Sequence, residues 1–315
     1  MKKYLFLALM LCNLCQAQVV KKHKSLQVIG TQLCNQAGEP IQLRGMSFGW
    51  HNYWPRFYNQ KAVKTLVTDW KCNVVRAAMG IEGNEFTYTQ NPQYATEKLE
   101  TVVKAAIKND IYVIADWHSH NLNLKEALVF FDWLSKKYGH TPNLIYEIVN
   151  EPDEETWPEV KAYAEQVIAV IRKNDPDNII LVGSPRWDQD VHLPAADPIT
   201  SSSNLMYTMH FYAGTHEKWL RDRTDEALKK NLPIFVSESA GMEATGDGPL
   251  NEQAWQEYID WMEARKISWI VWSVSNKEET CSVLKGDVSD GGPWKESELK
   301  PSGVKARNYI RSLNK

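Results

Sequence analysis

Short apolar runs alternate with amphipathic stretches along most of the chain, and the alternation is regular from residue 43 onward. Eight runs read as strands: 43–48, 73–79, 112–118, 144–150, 178–183, 205–211, 232–237 and 268–274. Between them the apolar residues fall at helical spacing. In 98–108, Leu99, Val102, Val103, Ala106 and Ile107 share one face while Lys and Glu hold the other. Strands separated by such helices pair in parallel through right-handed crossovers. Eight units of this kind close most simply into a (β/α)8 TIM barrel, an α/β fold. Upstream, residues 26–42 hold two short strand-like pieces around Asn35-Gln-Ala-Gly38, which read as a β-hairpin capping the bottom of the barrel. No Pro/Ser/Thr linker, repeat or low-complexity tract breaks the pattern, so residues 18–315 are expected to form a single barrel domain.

The first 17 residues follow a different rule. Met1-Lys-Lys precedes the apolar run Tyr4-Leu-Phe-Leu-Ala-Leu-Met-Leu, a basic start and an h-region of signal-peptide length. Such a run is too short to span a bilayer. Cleavage after Ala17 would leave Gln18 as the new terminus and remove Cys12 and Cys15. Lipid attachment at Cys15 is the rival reading, opposed by the lack of a small residue just before it. The mature chain is therefore expected to be secreted or periplasmic. It keeps Cys34, Cys72 and Cys281, an odd set without metal-ligand spacing. No later apolar stretch is long enough for a membrane span.

Composition narrows the function. The 315 residues are 43% hydrophobic, enough for one large core. A formal charge of -3 with both signs interspersed leaves no basic stripe for nucleic acid. No Gly-rich phosphate loop follows the first strand, which argues against a nucleotide ligand. Neither a metal nor another cofactor is expected, and a monomer is expected. Thirteen Trp and thirteen Tyr supply flat rings that fill a core or stack on sugar faces.

Active sites of this fold lie at the carboxyl ends of the strands. Read in order, those ends carry Trp50, His51 and Asn52; Arg76; Asp116, Trp117 and His118; Asn150 and Glu151; Trp187; His210 and Tyr212; Glu238; and Trp272. Two acids at the ends of the fourth and seventh strands suit glycosidic cleavage, in which one carboxyl protonates the leaving group and the other stabilises or attacks the anomeric carbon. On this reading Glu238 stays ionised beside a cation such as Arg76, while Glu151 has its pKa raised by an apolar pocket and by its partner's charge. Arg76 sits in the apolar run Val74-Val-Arg-Ala-Ala-Met79, where a buried cation must find partners. Asp116 is read as an orienting group. Strand alternation turns Glu147 to the face opposite Asn150, as a structural acceptor. His118 and His120 make only a weak metal pattern, with Ser119 between them and no further ligands nearby.

The runs Ile-Tyr-Glu-Ile-Val-Asn150-Glu151-Pro, Ala-Asp-Trp-His118-Ser-His and Val-Ser-Glu238 together resemble the signatures of glycoside hydrolase family 5, specifically its bacterial endoglucanases. The resemblance extends from about residue 26 to the C-terminus and takes in Leu43-Arg-Gly-Met-Ser, Val75-Arg-Ala-Ala-Met, Met209-His-Phe-Tyr212 and Ile267-Ser-Trp-Ile-Val-Trp-Ser273. It implies a retaining endo-β-1,4-glucanase acting on cellulose, soluble β-glucan or cello-oligosaccharides, with Glu151 as acid/base and Glu238 as nucleophile. Asn150 matches the residue that binds the sugar 2-hydroxyl and Arg76 the one that supports the nucleophile. His118, His210 and Tyr212 match polar groups around the cleavage point, and Trp272 the platform beneath the sugar. Trp187 is similar to a subsite-stacking residue and Lys277 to a sugar-hydroxyl donor. Three departures stand out: Ser239-Ala-Gly follows Glu238 in place of an aromatic-Gly pair, Gly80 stands where relatives often carry Tyr, and Gly49 aligns with their first-strand histidine. In the stretch Ser47-Phe-Gly-Trp-His-Asn-Tyr-Trp54, His51 is the stand-in for that histidine and joins Trp54 among the substrate-binding candidates. Mannan, xyloglucan and mixed-linkage glucan remain open as substrates because loops choose the sugar. A sugar-binding protein without catalysis is the contrasting reading, opposed by the presence of both acids.

Overall fold

The computed structural model describes residues 18–314, so the expected leader at 1–17, with Cys12 and Cys15, lies outside the described residues. Two short strands, β1 (Gln27–Ile29) and β2 (Gln32–Cys34), pair antiparallel. The tight turn between them falls at Gly30, whose φ of +60° suits a residue without a side chain. Asn35-Gln-Ala-Gly38, expected to be the hairpin's own turn, instead follows β2 and returns the chain to a single bridge between Cys34 and Pro40. Its Asn35 Oδ1 accepts the Ala37 and Glu39 amides, an Asx-type closure of that second turn.

The eight expected strands all form: β3 (Arg44–Phe48), β4 (Val74–Gly80), β5 (Tyr112–His118), β6 (Leu144–Glu147), β7 (Ile180–Val182), β8 (Leu205–Tyr212), β9 (Ile234–Ala240) and β10 (Trp269–Val274). They close in chain order, with β10 pairing back to β3 and each of these pairs parallel. The helix expected at 98–108 is the C-terminal part of Pro92–Lys108. That helix begins with Asn91, which accepts the Tyr94 amide as N-cap, followed by Pro92 in its first turn.

Alternation along β4 shows how the barrel is filled. Val75, Ala77 and Met79 face outward into the core shared with the helices. Val74 faces inward and packs with Leu26 and Leu33 of the N-terminal segment and with Ile114, Ile145, Phe235 and Ile270, so the hairpin does plug the bottom of the barrel. Ala78, further up, joins Tyr212, Ala240 and Trp272 near the mouth. Between these apolar layers sits Arg76, fully buried. No helix among the described residues is long and apolar enough to cross a membrane. Cys34, Cys72 and Cys281 are buried free thiols.

Candidate active site

Arg76 organises the site because a guanidinium without water needs acceptors on every side. Its Nε donates to Glu147 Oε2 at 2.7 Å, its Nη1 to Glu238 Oε2 at 3.0 Å, and its Nη2 lies 3.0 Å from Asp116 Oδ2 and donates to Asn150 Oδ1 at 2.7 Å. Burial alone would lower the Arg76 pKa, but Asp116, Glu147 and Glu238 raise it well above its ordinary value. Glu147 is held at about 2: burial pushes it up, and Arg76 together with His210 more than reverses that.

The placement of Glu147 corrects the alternation argument. It and Asn150 both touch Arg76 inside the barrel. The expected strand through residue 150 ends at Glu147, and the chain beyond it leaves the pleat, so the two-residue period no longer applies. Glu147 is the structural acceptor that was expected, on the inner face rather than the outer one.

Glu238 reaches the inner face by a similar break. The pairing of β8 with β9 matches Thr208 to Phe235 but His210 to Glu238, so one extra β9 residue is accommodated in a bulge. Phe235, below it, also points inward. Without the bulge Glu238 would face the helices. Its Oε1 accepts the Tyr212 hydroxyl at 2.7 Å and its Oε2 accepts from Arg76.

Glu151 follows β6 with φ +51°, in the left-handed region that costs a side-chain-bearing residue energy. Its Oε1 pairs with His210 Nδ1 at 2.9 Å. His210 Nε2 lies 2.8 Å from Ser237 Oγ and 3.4 Å from Asp188 Oδ2. One oxygen of Glu151, one oxygen of Glu238 and a ring nitrogen of His210 all lie within 4.8 Å of one another.

The pKa directions expected of the two acids are reversed in the folded site. Burial would lower the His210 pKa, yet Asp188, Glu147 and Glu151 raise it well above its ordinary value. For Glu151, burial acts to raise the pKa, but the hydrogen bond and charge of His210 pull it down overall. For Glu238, burial and the nearby Glu151 charge outweigh Arg76, and its pKa rises. From the sequence Glu151 is expected in an apolar pocket beside its partner's charge and Glu238 beside Arg76; the folded site adds the His210 ring against Glu151 and the Glu151 charge near Glu238.

His118 Nδ1 bonds Asp116 Oδ2 at 2.7 Å, as an oriented histidine should. Its ring stacks at 5.1 Å and 4° on Trp272, and burial, followed by the Arg76 charge, lowers its pKa to about 3. A neutral imidazole that donates from Nδ1 leaves Nε2 as its free nitrogen. A cleft of about 200 Å3 is lined by Trp54, Tyr212, Trp272 and Lys277, with Trp50 and Tyr53 at its side. Lys277 pairs there with Glu279. Trp187 is 46% exposed and sits on the loop after β7.

His51 does not join this group. Its Nε2 bonds the Phe86 carbonyl at 2.9 Å, its Nδ1 accepts the Gly80 amide at 3.0 Å, and its side chain is buried. The segment after β3 folds over the end of β4, where the His51 amide also donates to the Ala78 carbonyl, so His51 ties backbone together rather than facing the cleft. Burial lowers its pKa to about 4. His118 and His120 do not converge on one point either, since His120 Nδ1 lies 3.0 Å from the Glu151 carbonyl oxygen and His118 Nδ1 is taken by Asp116. Both nitrogens of His210 are likewise engaged within the chain.

Two residues to which the sequence gives no role stand in the site, Trp50 at the first strand end and Asp188. Trp50 meets His118 edge-on at 4.4 Å. A Cβ at Gly80 would come within 2.2 Å of Asn52 Oδ1 and 2.9 Å of the Trp50 ring, so the glycine makes room for both. Asp188 is buried beneath Glu151 and His210. Its one sequence signal was an acid next to Trp187 on a loop at the functional end of the barrel.

Comparison with known proteins gives a consistent picture. The cellulase model of glycosyl hydrolase family 5 matches residues 34–278. An endoglucanase from Clostridium saccharobutylicum is 40% identical over 92% of this chain and 65% of its own length; endoglucanase A of Evansella cellulosilytica is 44% identical over 87% of this chain and 57% of its own. The chain thus spans about three-fifths of the length of these curated relatives. A solved structure from Cytophaga hutchinsonii, 43% identical, superposes with a TM-score of 0.92 over 94% of this chain and 97% of that one. The catalytic domain of a Thermobifida fusca endoglucanase, solved with cellotetraose, superposes at 0.88 with 35% identity, covering 93% of this chain and 99% of that one.

Proposed function

The chain belongs to glycosyl hydrolase family 5, and from that premise we propose that it is a secreted endo-β-1,4-glucanase, one catalytic barrel that cleaves internal bonds of cellulose or soluble β-glucan with retention. The observation that carries the reading is the approach of Glu151 and Glu238, with oxygens inside 4.8 Å. Retaining glycosidases hold their carboxyls about 5–5.5 Å apart, whereas an inverting pair leaves about 6.5–9.5 Å for a water.

In the first step Glu238, aimed by Arg76 and the Tyr212 hydroxyl, attacks the anomeric carbon while Glu151 gives its proton to the leaving oxygen. In the second, Glu151 takes a proton from the water that displaces Glu238. Asn150 Nδ2 is buried without a partner among the described residues, which suits it to bind a sugar hydroxyl once its Oδ1 is fixed by Arg76. A sugar entering the cleft dries Glu151 further and favours its neutral, proton-donating form. The cellotetraose bound by the Thermobifida fusca relative supports a cello-oligosaccharide as substrate.

The test is product analysis on carboxymethyl cellulose, glucomannan and xyloglucan side by side, with the product anomer followed by NMR. A β-anomer released first from the cellulose derivative is expected; an α-anomer ends the retaining mechanism. Cello-oligosaccharide binding without cleavage would instead mark a sugar-binding protein.

A further inference from the structure

We infer that Asp188 is a positioning residue for the acid Glu151: it accepts the Glu151 backbone amide, holds that residue in its left-handed conformation and braces the far side of His210. The inference rests on the proposed role of Glu151 and adds a residue that otherwise lies outside the reacting groups.

The geometry is a clasp between two loops. On one side is Glu151 at φ +51°; on the other are Arg186, Trp187 and Asp188 at φ +56°, +54° and +60°. Residues with side chains occupy this region singly as a rule, and a run of three persists only where the surroundings over-determine it. Two cross-links do so here. The Trp187 amide donates to the Pro152 carbonyl at 3.1 Å, and the Glu151 amide donates to Asp188 Oδ2 at 3.2 Å. Asp188 Oδ1 accepts the Ser184 amide, which anchors the carboxylate to the end of its own strand.

Room for this carboxylate is provided by Gly183, where a Cβ would stand 2.9 Å from the Val149 carbonyl oxygen and 3.1 Å from Asp188 Oδ1. Asp188 Oδ2 also lies 3.4 Å from His210 Nε2, the nitrogen opposite the one that bonds Glu151. The same oxygen therefore acts on Glu151 twice, through its backbone and through the imidazole that orients its carboxyl. Asp188 has no exposure to solvent and reaches no substrate, so its effect has to pass through Glu151 and His210.

Two substrates separate this role from plain stability. Cellopentaose has a poor leaving group and needs the acid, whereas 2,4-dinitrophenyl β-cellobioside leaves without protonation and reports only binding and attack by Glu238 in kcat/KM. Asp188→Ala is expected to lower kcat on cellopentaose by about 100-fold with KM nearly unchanged, while kcat/KM on the dinitrophenyl substrate falls less than about threefold. Asp188→Asn keeps one acceptor oxygen and should recover about tenfold of that loss. Circular dichroism on both variants checks the fold, and the asparagine variant serves if the alanine one does not fold. Equal losses on the two substrates, or no loss on cellopentaose, overturn the inference. Glu151→Ala is the control for the underlying reading: if it loses kcat/KM equally on both substrates, Glu151 is not the acid, and it is that reading which fails.

Discussion

Val74 and Arg76 lie two residues apart on one strand and point into the same barrel, yet they belong to different kinds of interior. Val74 is surrounded by aliphatic and aromatic side chains under the N-terminal hairpin, where any residue of suitable volume and polarity serves. Arg76 is surrounded by Asp116, Glu147, Glu238 and Asn150, where each group is satisfied only by the others. The lower layer holds the barrel closed. The layer above it spends stability on fixing charges, as sites commonly do. One turn of the pleat is therefore enough to pass from packing to chemistry.

That division can be tested from both sides. The largest effect is expected from Arg76→Ala, which leaves three acids facing one another without their cation. Stability should fall by about 3–5 kcal/mol and kcat by about 1,000-fold or more; a folded variant with near-normal turnover would show that the cation does not organise the site. In the lower layer, Phe235→Ala should cost a similar 3–5 kcal/mol in denaturant melts through the cavity it leaves. Its kcat and KM at a temperature where the variant stays folded should match the wild type within about twofold. A large drop in turnover without unfolding would mean that the two layers are mechanically coupled.

Asp188 gives the charged layer a dependence on pH. Burial first, then the nearby Glu151 and Glu147 charges, raise its pKa to about 7, although His210 and the Ser184 amide pull it down. A folded pKa above the ordinary 3.8 means that the folded state binds this proton more tightly. Its stabilising contribution is complete below about pH 4 and is lost as pH rises towards 7. Asp188→Asn cannot ionise, so its melting temperature relative to wild type should climb between pH 4 and 7, by an amount corresponding to about 3–4 kcal/mol. A constant difference across that range would place the Asp188 pKa near normal. The smallest effect is expected from Trp187→Ala at the exposed rim. KM for cello-oligosaccharides should rise about three- to tenfold with kcat nearly unchanged, and a fall in kcat alone would move Trp187 from binding to positioning.

Much of this organisation is legible in the sequence alone. The order of the strands followed from apolar periodicity, and Arg76 announced a buried partner because a cation in an apolar run cannot stand alone. His118, Asn150, Glu151, His210, Tyr212, Glu238 and Trp272 are expected together from their places at strand ends, where this fold builds its sites, and the folded chain gathers them at one mouth. His51 was misread because adjacency to a strand end does not say which way a turn folds. Glu147 was assigned to the wrong face because the pleat ends at that residue. Asp188 was overlooked because its importance lies in two hydrogen bonds to residues far away in sequence.

The pattern along the chain by itself determined the closed barrel, the plug beneath it and the acids at its mouth, since periodicity and strand-end position are local properties that survive without coordinates. Only the folded molecule decided that a bulge in β9 turns Glu238 inward and that a clasp sets the Glu151 backbone. It also decided that His210 draws the Glu151 pKa down while burial and the Glu151 charge push the Glu238 pKa up, the opposite of the directions expected. Electrostatic energy in a dry interior sums over every charge within a few ångströms. Those neighbours come from strands far apart in the chain, which is why reading it from one end to the other could name the groups but not which way their pKa values move.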